Sequence, residues 1–360
     1  MILKKAYIRD RLNSLIINFI FKFCKFETEE NILIKSMDGI GDILVRSKLA
    51  ELVAEKNRLD NSKVYFLMKE QYKNLGTFLG YNVIGLDRKT EKNLLKRFFK
   101  FYEINKRYKF KRYINLEFGN DNITANIVAK EKIGNLDESK MTSCYNKYFT
   151  KSFKVSESHK KILNKMRELG EKILEREVSL EEIIPDLRYK FPIDNKDIVI
   201  AVGSTARNRV CNPIKMKEYI EEIIKFYPNE KIILVGNGEL QKNYAKKILE
   251  MIPNKNIIDF VDKTNLMEAF ELVTKSRLFV GFESGLYNLC FVTRKKGIGL
   301  FRDTSVPFAH EVPWLKNIGP SEKIDRSIKD SEYPDEKINS ISVESFRNAL
   351  EELKWWKKMW

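Results

Sequence analysis

The sequence is poor in the residues that ligate metals and make cross-links. Its 360 residues include two histidines and four cysteines. Cys24, Cys144, Cys211 and Cys290 lie far apart with no C-x-x-C pair, and His159 and His310 cannot complete a zinc set at that spacing. A disulfide framework does not suit a chain this long, so a reducing cytoplasm is the expected setting. A membrane-spanning run is missing too: the uncharged stretch Leu12 to Phe21 is roughly half of a span. Lys22, Phe23, Cys24 and Lys25 behind it do not form the small-residue cleavage site of a signal peptide. No G-x-x-x-x-G-K-[ST] exists, which excludes a P-loop. The pairs Gly39/Gly41, Gly236/Gly238 and Gly297/Gly299 each lack the third glycine of a dinucleotide fingerprint, where Leu44, Gln241 and Arg302 stand. This disfavours hydride transfer. No Asp-x-Asp pair is present to hold a divalent metal against a diphosphate.

Acidic charge is the minority sign. Lys and Arg number 66 against 50 Asp and Glu, giving a net charge of +16. With 43% hydrophobic and 32% charged residues, the chain can bury sizeable cores. Its length suits two domains of middling size. The basic excess calls for an anionic partner: nucleic acid, membrane headgroups or a phosphorylated substrate. Residues 88 to 112 hold eleven Lys or Arg and two Glu, which is +9, more than half of the total. The alternative there is a solvated helix face and loop.

From Asn31 the pattern alternates between short apolar runs and helical spacing. Strands are expected at 31–35, 63–68, 82–86 and 113–116, with a basic helix over 92–105. A polar helix is expected over 159–175. Residues 182–192 contain two prolines and form the best linker, with a hinge near 185–196. A second series follows: strands at 197–202, 231–235, 256–260, 277–281 and 297–301, and helices at 213–226, 239–251, 265–275 and 284–293. A last helix runs from 343 to 355. Strands separated by helices argue for βαβ units and mostly parallel sheets, so the fold class is α/β with two Rossmann-like domains. The expected organisation is an apolar, basic helical extension (1–30), an N-terminal domain (31–190), a C-terminal domain (191–335), and a helix with a Trp/Lys tail (336–360). The extension, flanked by Arg9, Arg11, Lys22 and Lys25, suits either a bilayer interface or packing on the domain. The tail KWWKKMW suits a headgroup region, with a disordered tail or a helix packed through its tryptophans as the alternatives.

Three strand–turn–helix junctions can carry chemistry. Lys35 to Asp42 places Gly39 and Gly41 where backbone N–H groups approach a ligand, and Asp42 where a carboxylate can take a proton from a hydroxyl. Asp42 as a plain helix cap, with Asp38 as rival, is the alternative. Gly203 to Arg209 offers Ser204 and a guanidinium fork to phosphate oxygens; the alternative is an ordinary loop. Gly281 to Asn288 puts Ser284 and Gly285 at a helix N-terminus and Glu283 where it can bind sugar hydroxyls; an N-capping serine is the alternative. Thr264 opens the preceding helix and is the weakest of the set.

Taken in order, these elements resemble glycosyltransferase family nine, the heptosyltransferases of the lipopolysaccharide inner core. The resemblance covers roughly residues 31 to 305. It is carried by Gly39-Ile40-Gly41-Asp42, Val202-Gly203-Ser204, Leu234 to Glu239, Asp262 to Leu266, Gly281 to Cys290 and Leu300 to Thr304. The departures are Glu283 for Asp, Asn288 for His, Arg209 for Lys, Cys211 for Trp and Arg302 for Gly.

The resemblance implies a GT-B fold with two domains facing a cleft. It also implies an inverting, metal-independent transfer of a heptose or other hexose-like sugar from a nucleotide sugar to a lipopolysaccharide-type or other surface-glycan acceptor. Asp42 would be the base. Gly203, Ser204, Arg209, Gly236, Thr264, Glu283, Ser284, Gly285 and Asn288 would hold the donor. Gly39, Gly41, Lys96, Arg97 and Lys100 would face the acceptor and the membrane. No metal or other cofactor is expected. The setting would be cytoplasmic and peripheral on the inner membrane's cytoplasmic face, with an anionic lipid-linked glycan as partner. Two other classes stand against this. A non-catalytic sugar binder is favoured by the departures at 283 and 288. A nucleic-acid-binding protein is favoured by charge alone, without a helix-turn-helix, zinc-finger or RNP signature.

Overall fold

A computed structural model describes residues 2–36, 39–57, 63–87, 92–156, 158, 160–190, 196–204, 206–320, 332–333 and 335–355. Asp38, His159 and the tail beyond Trp355 lie outside the described residues. The chain divides into two compact units. The first comprises residues 1–159 and 163–184, and the second 160–162 and 185–360.

The first unit opens with α1 (Ile2–Phe21), β1 (Asn31–Lys35), α2 (Ile40–Asn57), β2 (Val64–Lys69), α3 (Lys73–Phe78) and β3 (Asn82–Leu86). It continues with α4 (Leu94–Tyr108), β4 (Phe110–Asn115), α5 (Asn122–Asn126), β5 (Glu131–Asn135), β6 (Lys151–Phe153), α6 (Ile162–Leu174) and α7 (Leu180–Ile183). Its six strands form one sheet in the order β3-β2-β1-β4-β5-β6, every pair parallel. All five residues of the central strand β1 are buried, which is why it reads as an unbroken run and not as an alternation. Leu33, Leu67, Phe101, Ile104 and Tyr113 belong to the core on which α1 and α4 pack. Asn93 caps α4 by accepting from Lys96 N at 3.0 Å, and Lys109 ends the helix with a left-handed φ of 48°.

The second unit comprises β7 (Ile198–Ala201), α8 (Pro213–Phe226), β8 (Ile232–Val235), α9 (Glu239–Met251), β9 (Ile257–Asp259) and α10 (Leu266–Lys275). These are followed by β10 (Leu278–Phe282), α11 (Gly285–Val292), β11 (Gly297–Leu300), β12 (Leu315–Ile318), α12 (Glu336–Asn339) and α13 (Val343–Trp355). The sheet order is β12-β11-β10-β7-β8-β9, again all parallel. The helix starts are specified locally. Asn212 caps α8 with Pro213 at its first position, and Asn265 and Glu268 make a reciprocal capping box on α10. In both units the strands' carboxyl ends share one side of the sheet, where open α/β sheets bind ligands.

The basic segment corrects one expectation. Lys96 is exposed and Lys100 partly so, but Arg97 is fully buried and does not face solvent or a membrane. Its Nε donates to Asn126 Oδ1 at 2.9 Å and its Nη2 to Ser14 Oγ at 2.8 Å. The heptad-like spacing of Lys96 and Lys100 hides the fact that Arg97 lies a third of a turn away, on the face that meets α1 and α5. Among the described residues no helix is long and apolar enough to cross a membrane.

Candidate functional site

In the first unit the junction of β1 and α2 holds Asp42 at the third position of the helix. Its Oδ2 accepts the Gly39 N–H at 3.1 Å, and its Oδ1 lies 3.3 Å from Arg46 Nη2 one turn later. Asp42 therefore does cap the helix, as the alternative reading had it, while its side chain keeps partial exposure. A carboxylate at a helix N-terminus is stabilised as the anion. Gly39 is also part exposed and Gly41 buried. Beneath this junction lies a charged cluster that sequence reasoning missed. Lys35, wholly buried at the end of β1, pairs with Glu117 and lies 2.9 Å from Asp121 Oδ2. Burial pushes the Lys35 ammonium down, but Asp121 and Glu117 outweigh it and hold its pKa well above the usual lysine value. The signal was available in one place: a lysine closing an otherwise apolar strand must find a counter-charge.

In the second unit the ends of β7 and β10 converge. Ser204 Oγ donates to the Glu283 carbonyl oxygen at 2.7 Å, and Arg209 Nε lies 3.2 Å from Glu283 Oε2. The Ser204 hydroxyl proton is thus engaged, and what remains to a ligand is an acceptor. Burial pushes the Glu283 carboxyl up and the Arg209 guanidinium pulls it partly back, leaving it above the usual range. Ser284 caps α11, its hydroxyl accepting from Tyr287 N at 3.3 Å. Gly285 opens the helix, so its amide has no partner within the helix.

Gly203 has a packing reason. A Cβ there would meet Gln241 Cγ at 2.5 Å, so the glycine admits the α9 side chain against the end of β7. Gly236 receives the Asp262 N–H at 2.9 Å, and Gly238, with φ of 101°, gives its own N–H to Asp262 Oδ1 at 3.1 Å. Ser204, Arg209, Glu283 and Ser284 are therefore brought together. Thr264 is not in contact with them; it lines a cavity of about 340 Å³ with Asp197, Ile233, Phe260 and Glu268.

Asn288 is the departure the structure explains best. Its Nδ2 donates to Ser284 O at 3.0 Å, which turns Oδ1 toward His310 Nε2 at 2.8 Å. With Oδ1 as acceptor, the neutral imidazole carries its proton on Nε2. The ring stacks on Phe291 at 3.8 Å. Burial, followed by the nearby Lys161 charge, holds the His310 pKa down to about 3. A depressed folded value contributes stability above the unfolded pKa of about 6.5, lost as pH falls toward 3. Between pH 7 and 5 the native protein should lose about 2 kcal/mol through this one residue. His310→Gln should flatten that dependence in denaturant titrations at the two pH values; an unchanged slope would remove the assignment.

The two parallel sheets, each wound with helices, define an α/β protein with two Rossmann-like domains. Solved structures agree on the fold. E. coli heptosyltransferase WaaC with ADP-2-deoxy-2-fluoro heptose has a TM-score of 0.69 at 13% identity, over 89% of this chain and 99% of that one. E. coli ADP-heptose lps heptosyltransferase II gives 0.66 at 12%, over 91% and 99%. The glycosyl transferase family 9 protein of Veillonella parvula gives 0.66 at 15%, over 92% and 98%. Residues 167–338 match the family model of glycosyltransferase family 9 (heptosyltransferase). Lipopolysaccharide heptosyltransferase 1 of Campylobacter coli is 29% identical over 163 residues, 44% of this chain; the match spans about half (47%) of that relative's length. The second half of the chain is thus similar to glycosyltransferase family 9, and the fold of the whole is that of the solved heptosyltransferases.

Proposed function

We propose that this protein is an inverting glycosyltransferase that moves a heptose or similar sugar from a nucleotide-sugar donor to a lipopolysaccharide-type acceptor without a metal ion. The observation that carries the reading is the meeting of Arg209, Glu283 and the α11 N-terminus at the ends of β7 and β10. A guanidinium and unpaired helix amides suit a departing diphosphate, and a half-buried carboxylate beside them suits sugar hydroxyls. In this reading Asp42, on the first unit, deprotonates the acceptor hydroxyl, and the new bond forms as the diphosphate leaves. Gly203, Ser204 and Gly236 shape the donor side. The acceptor lies on the first unit, and the protein works at the cytoplasmic face of the inner membrane.

A second reading has one observation in its favour. Both Asp42 oxygens are already engaged, by Gly39 N–H and Arg46, as a purely structural cap would be. That version keeps donor binding and lacks transfer. The first test is a thermal-shift series with ADP-, GDP-, UDP- and CDP-sugars. One donor class should raise Tm with concentration, since a ligand held by the native state alone stabilises it. At a hundred times Kd the gain is about 2.7 kcal/mol. No shift with any nucleotide sugar would sink both versions.

A further inference from the structure

Helix α1 packs on the core of the first unit and yet leaves a second apolar stripe exposed. Its inward positions include Asn13 and Ser14, both buried, with Ile17 and Phe21. Ser14 is the hub: its hydroxyl accepts from Arg97 Nη2 at 2.8 Å and its carbonyl from Asn126 Nδ2 at 3.2 Å. Its outward stripe is apolar. Leu12, Ile16, Phe19 and Ile20 recur at helical spacing and are exposed, and Phe23 just beyond is 74% exposed. Phe19 and Phe23 touch edge to face at 5.2 Å, so they present one surface. The neighbouring helix α4 adds Leu95 and Phe99 one turn apart, 66% and 64% exposed. The two rows border one seam, for Phe21 of α1 packs on Phe98 at 5.6 Å and Phe98 on Phe99 at 5.3 Å. An apolar surface held outward by a buried polar network needs a cover.

The charge around it says which cover. Arg11, Lys22 and Lys25 flank the stripe on α1, and Lys92 and Lys96 stand at the start of α4, all exposed. The acids that follow α1 are already engaged: Glu27 and Glu29 pair with Lys109, and Glu30 with Lys111. A second copy of the same basic surface would repel this one, whereas anionic headgroups complement it. We propose that the α1–α4 face docks on an anionic lipid bilayer, with Leu12, Ile16, Phe19, Ile20 and Phe23 entering the headgroup–acyl boundary and the lysines meeting lipid phosphates. The Arg97–Ser14–Asn126 network sets the orientation of the inserted helix. This names the surface behind the membrane location proposed above, and rests on that reading only for the choice of a bacterial inner leaflet.

The test uses the full chain with phosphatidylcholine vesicles, with and without phosphatidylglycerol. Wild-type protein should co-sediment with the anionic vesicles at low salt and release at high salt. The double variant Phe19→Ser, Phe23→Ser removes two exposed rings from the insertion stripe and should partition about tenfold more weakly or worse, at unchanged Tm. Protein left in the supernatant with anionic vesicles at low salt would overturn the proposal. So would a dimer in light scattering that the double variant converts to monomer, which would make a second copy the cover. The nucleotide-sugar thermal shift is run on both proteins and should be the same in each. Wild-type protein that leaves the vesicles unbound but keeps its donor shift would count against the docking face alone, as would a double variant that binds vesicles like the wild type, and intact wild-type vesicle binding with no donor shift would count against sugar transfer alone.

Discussion

Asp42→Asn should lower sugar transfer by about two to four orders of magnitude, the range for removing a positioned general base. The substitution is informative because it separates the two roles of the residue. The amide oxygen can still accept the Gly39 N–H that now lies 3.1 Å from Oδ2, so the start of α2 is retained. The charge is lost, both opposite the buried Arg46 and at the helix N-terminus, each worth about 1 kcal/mol. Tm should therefore fall by a few degrees at most while turnover collapses, with donor binding unchanged. Steady-state transfer and a parallel melting curve decide it: near-full transfer by a folded Asp42→Asn protein would mean that Asp42 is a cap and nothing more.

The second large effect belongs to Arg209. Arg209→Ala should cost about two to three orders of magnitude in turnover, as does removing one donor to charge that develops at a reacting centre. It should also weaken the thermal shift given by the nucleotide sugar, because the guanidinium meets diphosphate in the bound state as well. Loss of the ion pair 3.2 Å away leaves Glu283 with its burial uncompensated, so its already raised carboxyl should rise further. The activity of Arg209→Ala should then fall off at a higher pH limit than that of the wild type on the acid side. Arg209→Lys should restore charge but not the fork geometry, and should recover part of the rate. A variant with wild-type rate and an unshifted acid limb would remove Arg209 from the diphosphate side.

The parts of the fold that were legible in the sequence are those with strong local signals. The strands Asn31–Lys35 and Ile232–Val235 are buried along their whole length and carry unbroken apolar runs, and α8 begins at a proline behind an asparagine cap. The strands that went unread lie at or beside the sheet edges. β5 (EKIGN) and β6 (KSF) are polar and pair through the backbone, so they carry no periodic signal, and β12 (LKNI) is short and interrupted. In the site, the glycine-flanked junctions at Asp42, Ser204 and Ser284 announce themselves because a turn into a helix restricts residue type. The partners that arrive from distant segments do not. Nothing near Asn288 in sequence points to His310, and nothing near Lys35 points to Glu117. The outward apolar face of α1 was visible as a ten-residue uncharged run, but not its orientation, which depends on Arg97 reaching Ser14 from 83 residues away.

The most direct measurement is acceptor-dependent release of nucleoside diphosphate from the donor that gives the thermal shift. Truncated lipopolysaccharide serves as acceptor, with chelator present throughout. Wild-type protein should release diphosphate in step with acceptor consumption, insensitive to the chelator, and Asp42→Asn should release almost none. A protein that binds the donor, yet releases no diphosphate when the acceptor is added, would be a sugar-binding relative of the transferases and not one of them.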